Sequence, residues 1–216
     1  MSVVINGFLF QRVDPSEEQM METIYRLRFD VYARQCRFIR EEDYPLELES
    51  DEYDAHSSHF VAIHDDVVIA TARMILTDEK SSPFLKYFPH VPIQHNFLPG
   101  FVTEISRLII SKKLRNSRNF SNRLTQFHQP SGLSCYATIV CGLCLEIYKE
   151  IKRRGITHWC ALMEKSLSGL LRIYGFRMQC VGHDVNVFGL VRPYIGNVAE
   201  MEGVLYKPSY FSASTC

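Results

Sequence analysis

Two charged side chains stand inside one of the most apolar stretches of the chain. Thr103-Glu104-Ile105-Ser106-Arg107-Leu108-Ile109-Ile110-Ser111 is hydrophobic and β-branched, with Pro99-Gly100 before it, so it reads as a buried strand that carries Glu104 and Arg107. A buried charge has to be paired or used. Strand side chains alternate between faces, so positions three apart point to opposite sides unless a bulge intervenes. Glu104 and Arg107 are therefore expected to meet different partners. One reading is an internal ion-pair network that fixes the strand; the other places Glu104 in the wall of a reaction cleft. A carboxyl in apolar surroundings holds its proton more tightly than in water, which suits a general base.

Further charges fall at positions that ought to be apolar. Met20, Ile24, Leu27, Val31 and Tyr32 recur at helical spacing over residues 15–35, and Arg28 sits among them, either snorkelling at the edge of the face or anchoring an anion inside. Arg73 interrupts the strand pattern of residues 67–76, between Ala72 and Met74. The carboxylates available to these arginines are Asp51, Asp54 and Glu104, so Arg28, Arg73 and Arg107 are expected to form balanced pairs with them around one cleft. Asp51-Glu52-Tyr53-Asp54, followed by His56 and His59, also invites a metal hypothesis. No second cluster accompanies it, and loop charges that partner buried arginines are the expectation, with no metal.

The elements that must position these groups follow from pattern. Residues 3–12 alternate as a first strand, and Asp14-Pro15 ends it. Residues 38–54 are acidic and without period, a mobile loop of the kind that covers sites. Residues 59–63 and 67–76 form a hairpin about His64-Asp65-Asp66. Residues 81–100 hold four prolines and scattered aromatics, a short helix and loop over the sheet. A strong amphipathic helix spans 134–154, ending in a basic turn and Gly155. A strand at 156–163, a helix at 165–174 and closing strands at 178–188 and 189–198 complete the order. This is an α/β (α+β) chain with a mixed sheet, and its 216 residues fit one domain, 1–216.

Composition narrows the class. Formal charge is zero, so no global field draws the chain to nucleic acid or membrane, and the basic run lacks interleaved aromatics. The charge is segregated, however: 41–54 is acidic, whereas Lys112, Lys113, Arg115, Arg118 and Arg123 form a basic loop within 112–132. Seven cysteines at irregular spacing read as reduced core thiols, and no stretch has the length of a membrane span or the pattern of a signal peptide. A cytoplasmic location is the economical expectation.

Leu27-Arg28-Phe29-Asp30-Val31-Tyr32, then Glu49-x-Asp51-x-x-Asp54, Ala72-Arg73 and Glu104-Ile105-Ser106-Arg107 occur in an order that resembles the acyl-homoserine lactone (autoinducer) synthases. The likeness is closer to their relatives, the N-acyl amino acid synthases and the acyltransferases of the exosortase (PEP-CTERM) system, with Glu49-Ser50-Asp51-Glu52-Tyr53-Asp54-Ala55-His56-Ser57 the most telling piece. The resemblance implies the GNAT acyltransferase fold. In that fold the central strand, here 103–111, splays from the next, here 157–163, and the pantetheine arm of an acyl donor lies in the gap.

It also implies the chemistry: an amine attacks a thioester, with Glu104 as base and backbone N–H groups of the splayed strands holding the oxyanion. Arg28, Arg73 and Arg107 would shape the cleft by pairing with Asp51 and Asp54, or one of these arginines would bind the acceptor carboxylate. Phe84, Phe88, Phe101 and Leu108 would line the acyl chain. The glycine-rich turn with which many such enzymes hold coenzyme A pyrophosphate is missing, and Lys112, Lys113, Arg115 and Arg118 stand in its place. That favours an acidic acyl carrier protein over acyl-CoA as donor, with no tightly bound cofactor. Lactone synthases often carry tryptophan where this chain has Arg37-Phe38, which favours a plain amino acid over S-adenosylmethionine as acceptor. The expected activity is N-acylation of an amino acid. The alternatives are lactone synthesis from S-adenosylmethionine and a non-catalytic acyl- or lipid-binding module.

Overall fold

A computed structural model of the protein describes residues 2–76, 82–89, 102–111, 135–187 and 189–205. Its centre is a sheet of nine strands among the described residues, in the order β1-β2-β3-β4-β5-β6-β9-β7, with β8 paired to β9. The strands are β1 (Ser2–Ile5), β2 (Phe8–Val13), β3 (Ser57–His64), β4 (Val67–Leu76), β5 (Val102–Ile110), β6 (His158–Met163), β7 (Gln179–Cys180), β8 (Val185–Asn186) and β9 (Leu190–Asn197). All pairings are antiparallel except β5 with β6, which the chain reaches through helix α3 (Cys135–Arg153). The mixed α/β sheet expected from sequence is the one observed.

Residues 3–12 are not one strand. Asn6 and Gly7 both adopt positive φ, 53° and 79°, and close a two-residue turn in which Ile5 pairs with Phe8. That is the tight hairpin geometry matched to strand twist, and Asn-Gly is its preferred sequence. Asp65 and Asp66 build the same kind of turn between β3 and β4. The 178–188 stretch likewise gives only the two-residue strands β7 and β8, and helix α5 (Val198–Leu205) follows β9.

Alternation along the strands sorts the core onto two faces. Phe60 and Ala62 of β3, with Ala70, Ala72 and Met74 of β4, share a buried cluster with Val140, Leu143, Ile147 and Ile151 of α3. Val61 of β3 packs on the other face, with Met21 and Ile24 of helix α1 (Glu18–Phe29). Gly142 lets α3 approach closely: a Cβ there would lie 2.3 Å from the Phe10 ring. The alternation also fixes which polar residues face α1. Since Ala72 and Met74 face α3, Arg73 between them faces α1, and its pairing partners His59 and Ser106 share that side.

Candidate active site

Strand β5 carries the feature that organises the site. Thr71 pairs with Ile109 but Arg73 pairs with Ser106, so Arg107 and Leu108 together oppose Ala72. This is a β-bulge, and Arg107 within it holds φ at 52°, a left-handed conformation that costs a non-glycine residue about 1–3 kcal/mol. The extra residue resets the alternation. Glu104 and Ser106 face α1 by register, and the bulge swings Arg107 to that same side. Ile105, Leu108 and Ile110 pack into the α3-side core.

Beside the bulge lies a buried ion lattice. Arg28 falls on the apolar stripe of α1, one turn beyond Ile24, and is fully buried. It donates from Nε to Glu49 and from Nη1 to Asp54, the latter at 2.7 Å. Arg73 donates from Nη1 to Asp51 at 2.5 Å and to Asp54 at 2.8 Å, and from Nε to Ser106 at 3.1 Å. Arg107 donates from Nη2 to Glu49 at 2.8 Å and to Asp51 at 3.0 Å. Burial alone would raise the Asp54 and Glu49 carboxyls, but Arg28 and its neighbours overcome this and hold both below their ordinary values. Burial also lowers His59, whose Nε2–H donates to the Asp54 carbonyl at 3.0 Å, so this histidine stays neutral. Arg28 therefore anchors carboxylates in the interior and does not snorkel.

The lattice brings together Arg28, Asp51, Asp54, Arg73 and Arg107 as the sequence suggests, with one correction. Its third carboxylate is Glu49, not Glu104. Glu49 stands two residues before Asp51 in the Glu49-x-Asp51-x-x-Asp54 segment, and the Glu49 N–H donates to the Tyr25 carbonyl at 3.2 Å, tying the segment to α1. An aperiodic loop gives no alternation from which to read that one of its acids points inward.

Glu104 has a different environment. Its carboxylate is almost wholly buried and accepts the Phe84 N–H at 2.8 Å from helix α2 (Pro83–Tyr87), just after Ser82. Burial pushes its pKa up to about 7, against the opposing pull of the Phe84 N–H, of the nearby Ser82 hydroxyl and of the Arg73 and Arg107 charges. Among the described residues it makes no ion pair within contact distance; it is the acid of this region held near neutrality.

Glu104 also marks the apex of a fork. Strand β6 pairs with β5 only at Val102–His158, Thr103–Trp159 and Glu104–Cys160, although both strands continue beyond. A cavity of about 530 Å³ opens where they part. Glu104, Ser106, Arg107 and Tyr32 line one end, from the α1 side of the sheet; Val140, Ala161 and Leu170 line the other, from the α3 side. The cavity thus joins a polar chamber to an apolar one through the fork. Tyr32 belongs to the π-helical turn Asp30–Gln35 that extends α1.

The expected acyl-chain residues divide. Leu108 lines the cavity, but Phe84 and Phe88 do not; they form a separate buried cluster with Leu85, Val102 and Cys160 beneath α2. Phe101 and the basic residues Lys112, Lys113, Arg115 and Arg118 lie outside the described residues. The apolar wall comes instead from α3, from β6 and from helix α4 (Lys165–Ile173).

A carboxyl with a pKa near 7 thus stands at the mouth of a split between two parallel strands. Residues 27–124 match the acetyltransferase (GNAT) domain model. Solved structures extend the likeness of fold to nearly the whole chain. A CoA-dependent acyl-homoserine lactone synthase, BjaI, solved with SAM and isopentyl-CoA, superposes with a TM-score of 0.69 at 18% identity, over 96% of this chain and 92% of that one. The AHL synthase LasI gives 0.65 at 16% identity, over 92% and 94%. FeeM, an N-acyl amino acid synthase from uncultured soil microbes, gives 0.62 at 11% identity, over 91% and 93%. No curated protein sequence matches the chain.

Proposed function

We propose that this acyltransferase moves a long-chain fatty acyl group from a thioester to the α-amine of an amino acid. The observation that carries this reading is the cavity through the β5–β6 fork, with Glu104 at its apex and an apolar chamber behind it. Beyond Cys160 the two strands no longer pair with each other, so their facing backbone edges are open to a thioester donor. The acyl chain lies in the chamber walled by Leu108, Val140, Ala161 and Leu170, and the acceptor occupies the polar end.

The amine of an amino acid is protonated at neutral pH and must lose a proton before it attacks. Glu104, with a pKa near 7, accepts that proton, directly or through one water. The freed amine adds to the carbonyl carbon to form the C–N bond. Backbone N–H groups of the fork hold the oxyanion, which collapses to break the C–S bond, and the departing thiolate takes the second proton of the attacking nitrogen to leave as the thiol. Arg28, Asp51, Asp54, Arg73 and Arg107 hold the walls of the cleft. The donor is a carrier-protein or coenzyme A thioester, and Lys112, Lys113, Arg115 and Arg118 support the carrier protein, whose acidic surface they complement.

The test incubates the purified protein with fatty acyl thioesters of both kinds and a panel of amino acids, and follows thiol release and products by mass spectrometry. N-acyl amino acids that disappear with Glu104→Gln support the reading. Acyl-homoserine lactone formed from S-adenosylmethionine would replace it with signal synthesis. Acyl chains bound without turnover on any acceptor would make the protein a binding module.

A further inference from the structure

We infer that Lys86 binds the carboxylate of the acceptor, so that the enzyme selects free amino acids over their amides and over amines that lack a carboxylate. This deepens the proposed function and rests on it. Helix α2 is short, but its two faces are sharply divided. Phe84 and Leu85, with Phe88 just beyond the helix, join Val102 and Cys160 in a buried apolar cluster. Pro83, Lys86 and Tyr87, three and four residues apart on the other face, line the cavity. The Phe84 N–H that Glu104 accepts at 2.8 Å holds this helix against the fork. Lys86 therefore stands at the cavity two residues beyond the backbone group that touches the base.

The charges around the cavity leave this role to Lys86. Among the described residues, the cations in its wall are Lys86 and Arg107. Arg107 is engaged, because its Nη2 donates to Glu49 and Asp51. Arg28 and Arg73 lie behind the wall and are paired with Glu49, Asp51 and Asp54. Lys86 is exposed, and among the described residues it makes no ion pair. Acids outnumber cations in the same wall: Glu49, Asp51, Glu52, Glu104 and Glu164 face the cavity. Glu52 and Glu104 stand outside the lattice, and their sign suits the ammonium of an acceptor. A carboxylate entering this chamber is repelled unless a cation receives it. An amino acid bound with its amine toward Glu104 and its carboxylate toward Lys86 meets opposite charge at both ends. Lysine fits the role, since its ammonium offers three donors on a flexible stem that can follow the carboxylate.

The experiment measures kcat/KM for the amino acid best acylated in the panel above and for the primary amide of that same amino acid. It is run with wild type, Lys86→Met, Lys86→Arg and Lys86→Glu. Comparing the acid-to-amide ratio between proteins cancels the different basicities of the two amines. The ratio should fall about tenfold in Lys86→Met, through a higher KM for the acid, and about a hundredfold in Lys86→Glu. Lys86→Arg, which keeps the charge, should stay near the wild-type ratio. The KM of wild type for the acid should also rise with salt more steeply than that for the amide. A loss in Lys86→Met that falls equally on acid and amide, or a ratio that none of the variants moves, would overturn the inference while leaving Glu104 as the base. A wild type that acylates no amino acid and no amide, or full activity in Glu104→Gln, would overturn the proposed function itself.

Discussion

Replacing Glu104 with glutamine should stabilise the protein at alkaline pH while abolishing its turnover. The unfolded chain releases this proton near 4.5 and the folded protein near 7, so between those values the native state binds more protons than the unfolded one. Stability therefore falls as pH rises through that window, by about 1.4 kcal/mol per pH unit and about 3 kcal/mol once the carboxylate is fully charged. Glutamine never acquires the charge, and its amide oxygen still accepts the Phe84 N–H, at a loss of about 1 kcal/mol for the weaker neutral bond. The expected gain at pH 8.5 is about 1–2 kcal/mol, with no gain at pH 4.5. Urea denaturation of both proteins at the two pH values measures this, and every other titrating group cancels in the difference, provided the slopes agree. Turnover should fall by about two orders of magnitude or more, the usual worth of a general base. A variant destabilised equally at both pH values would show that Glu104 is an ordinary hydrogen-bonded carboxylate, and the reasoning behind the site would fail.

The ion lattice has the opposite pH dependence. Glu49 and Asp54 are held below their ordinary values, so their stabilisation is present above about pH 4 and is lost as pH falls below it. Arg28→Met should cost about 3–5 kcal/mol at pH 7, because it strands buried carboxylates, and should flatten urea midpoints measured between pH 3 and 6. Gly196→Ala would set a Cβ 2.3 Å from Trp159 Cε2 across the β6–β9 pair. It should cost about 1–3 kcal/mol and shift the emission of the chain's one tryptophan. Val140→Trp, on the α3 wall, should shorten the acyl chains transferred, as product mass spectra would record, without altering the amino acid preference.

Sequence made parts of this site visible for identifiable reasons. Arg73 and Glu104 stand out because a charge within a β-branched run violates the strand pattern, and only a partner or a function offsets its burial. The order of elements from β3 to α4 follows from periodicity in the same way. Arg107 is harder: nothing in Ser106-Arg107-Leu108 signals the bulge, which arises only when β5 is matched against β4. Without it Arg107 would point away from Asp51. Glu49 hides in a loop with no period. Phe84 and Phe88 have the composition of a ligand wall and of a core alike, and only the placement of α2 assigns them to the core. The hairpin of β1 and β2 was legible in Asn6-Gly7, a turn signal that outweighs the apparent continuity of residues 3–12.

The two sets of charges in the site divide its work. Arg28, Arg73 and Arg107 meet Glu49, Asp51 and Asp54, three cations against three anions, so the lattice is formally neutral. Glu49 and Asp54 stay ionised through the physiological range, so neither can exchange a proton with a substrate at neutral pH. What the lattice supplies is rigidity: it ties α1, the loop before β3, β4 and the bulge of β5 into one body. Glu104 lies on the same face and strand but outside these pairs, close enough for Arg73 and Arg107 to lower its proton affinity without neutralising it. Joined to the lattice, it would be a permanent anion like Asp54; without the arginines nearby, burial would push it further above 7. The bulge decides which of these holds, because it aims Arg107 at Glu49 and Asp51 and leaves Glu104, three residues earlier, to face the fork with a proton it can exchange.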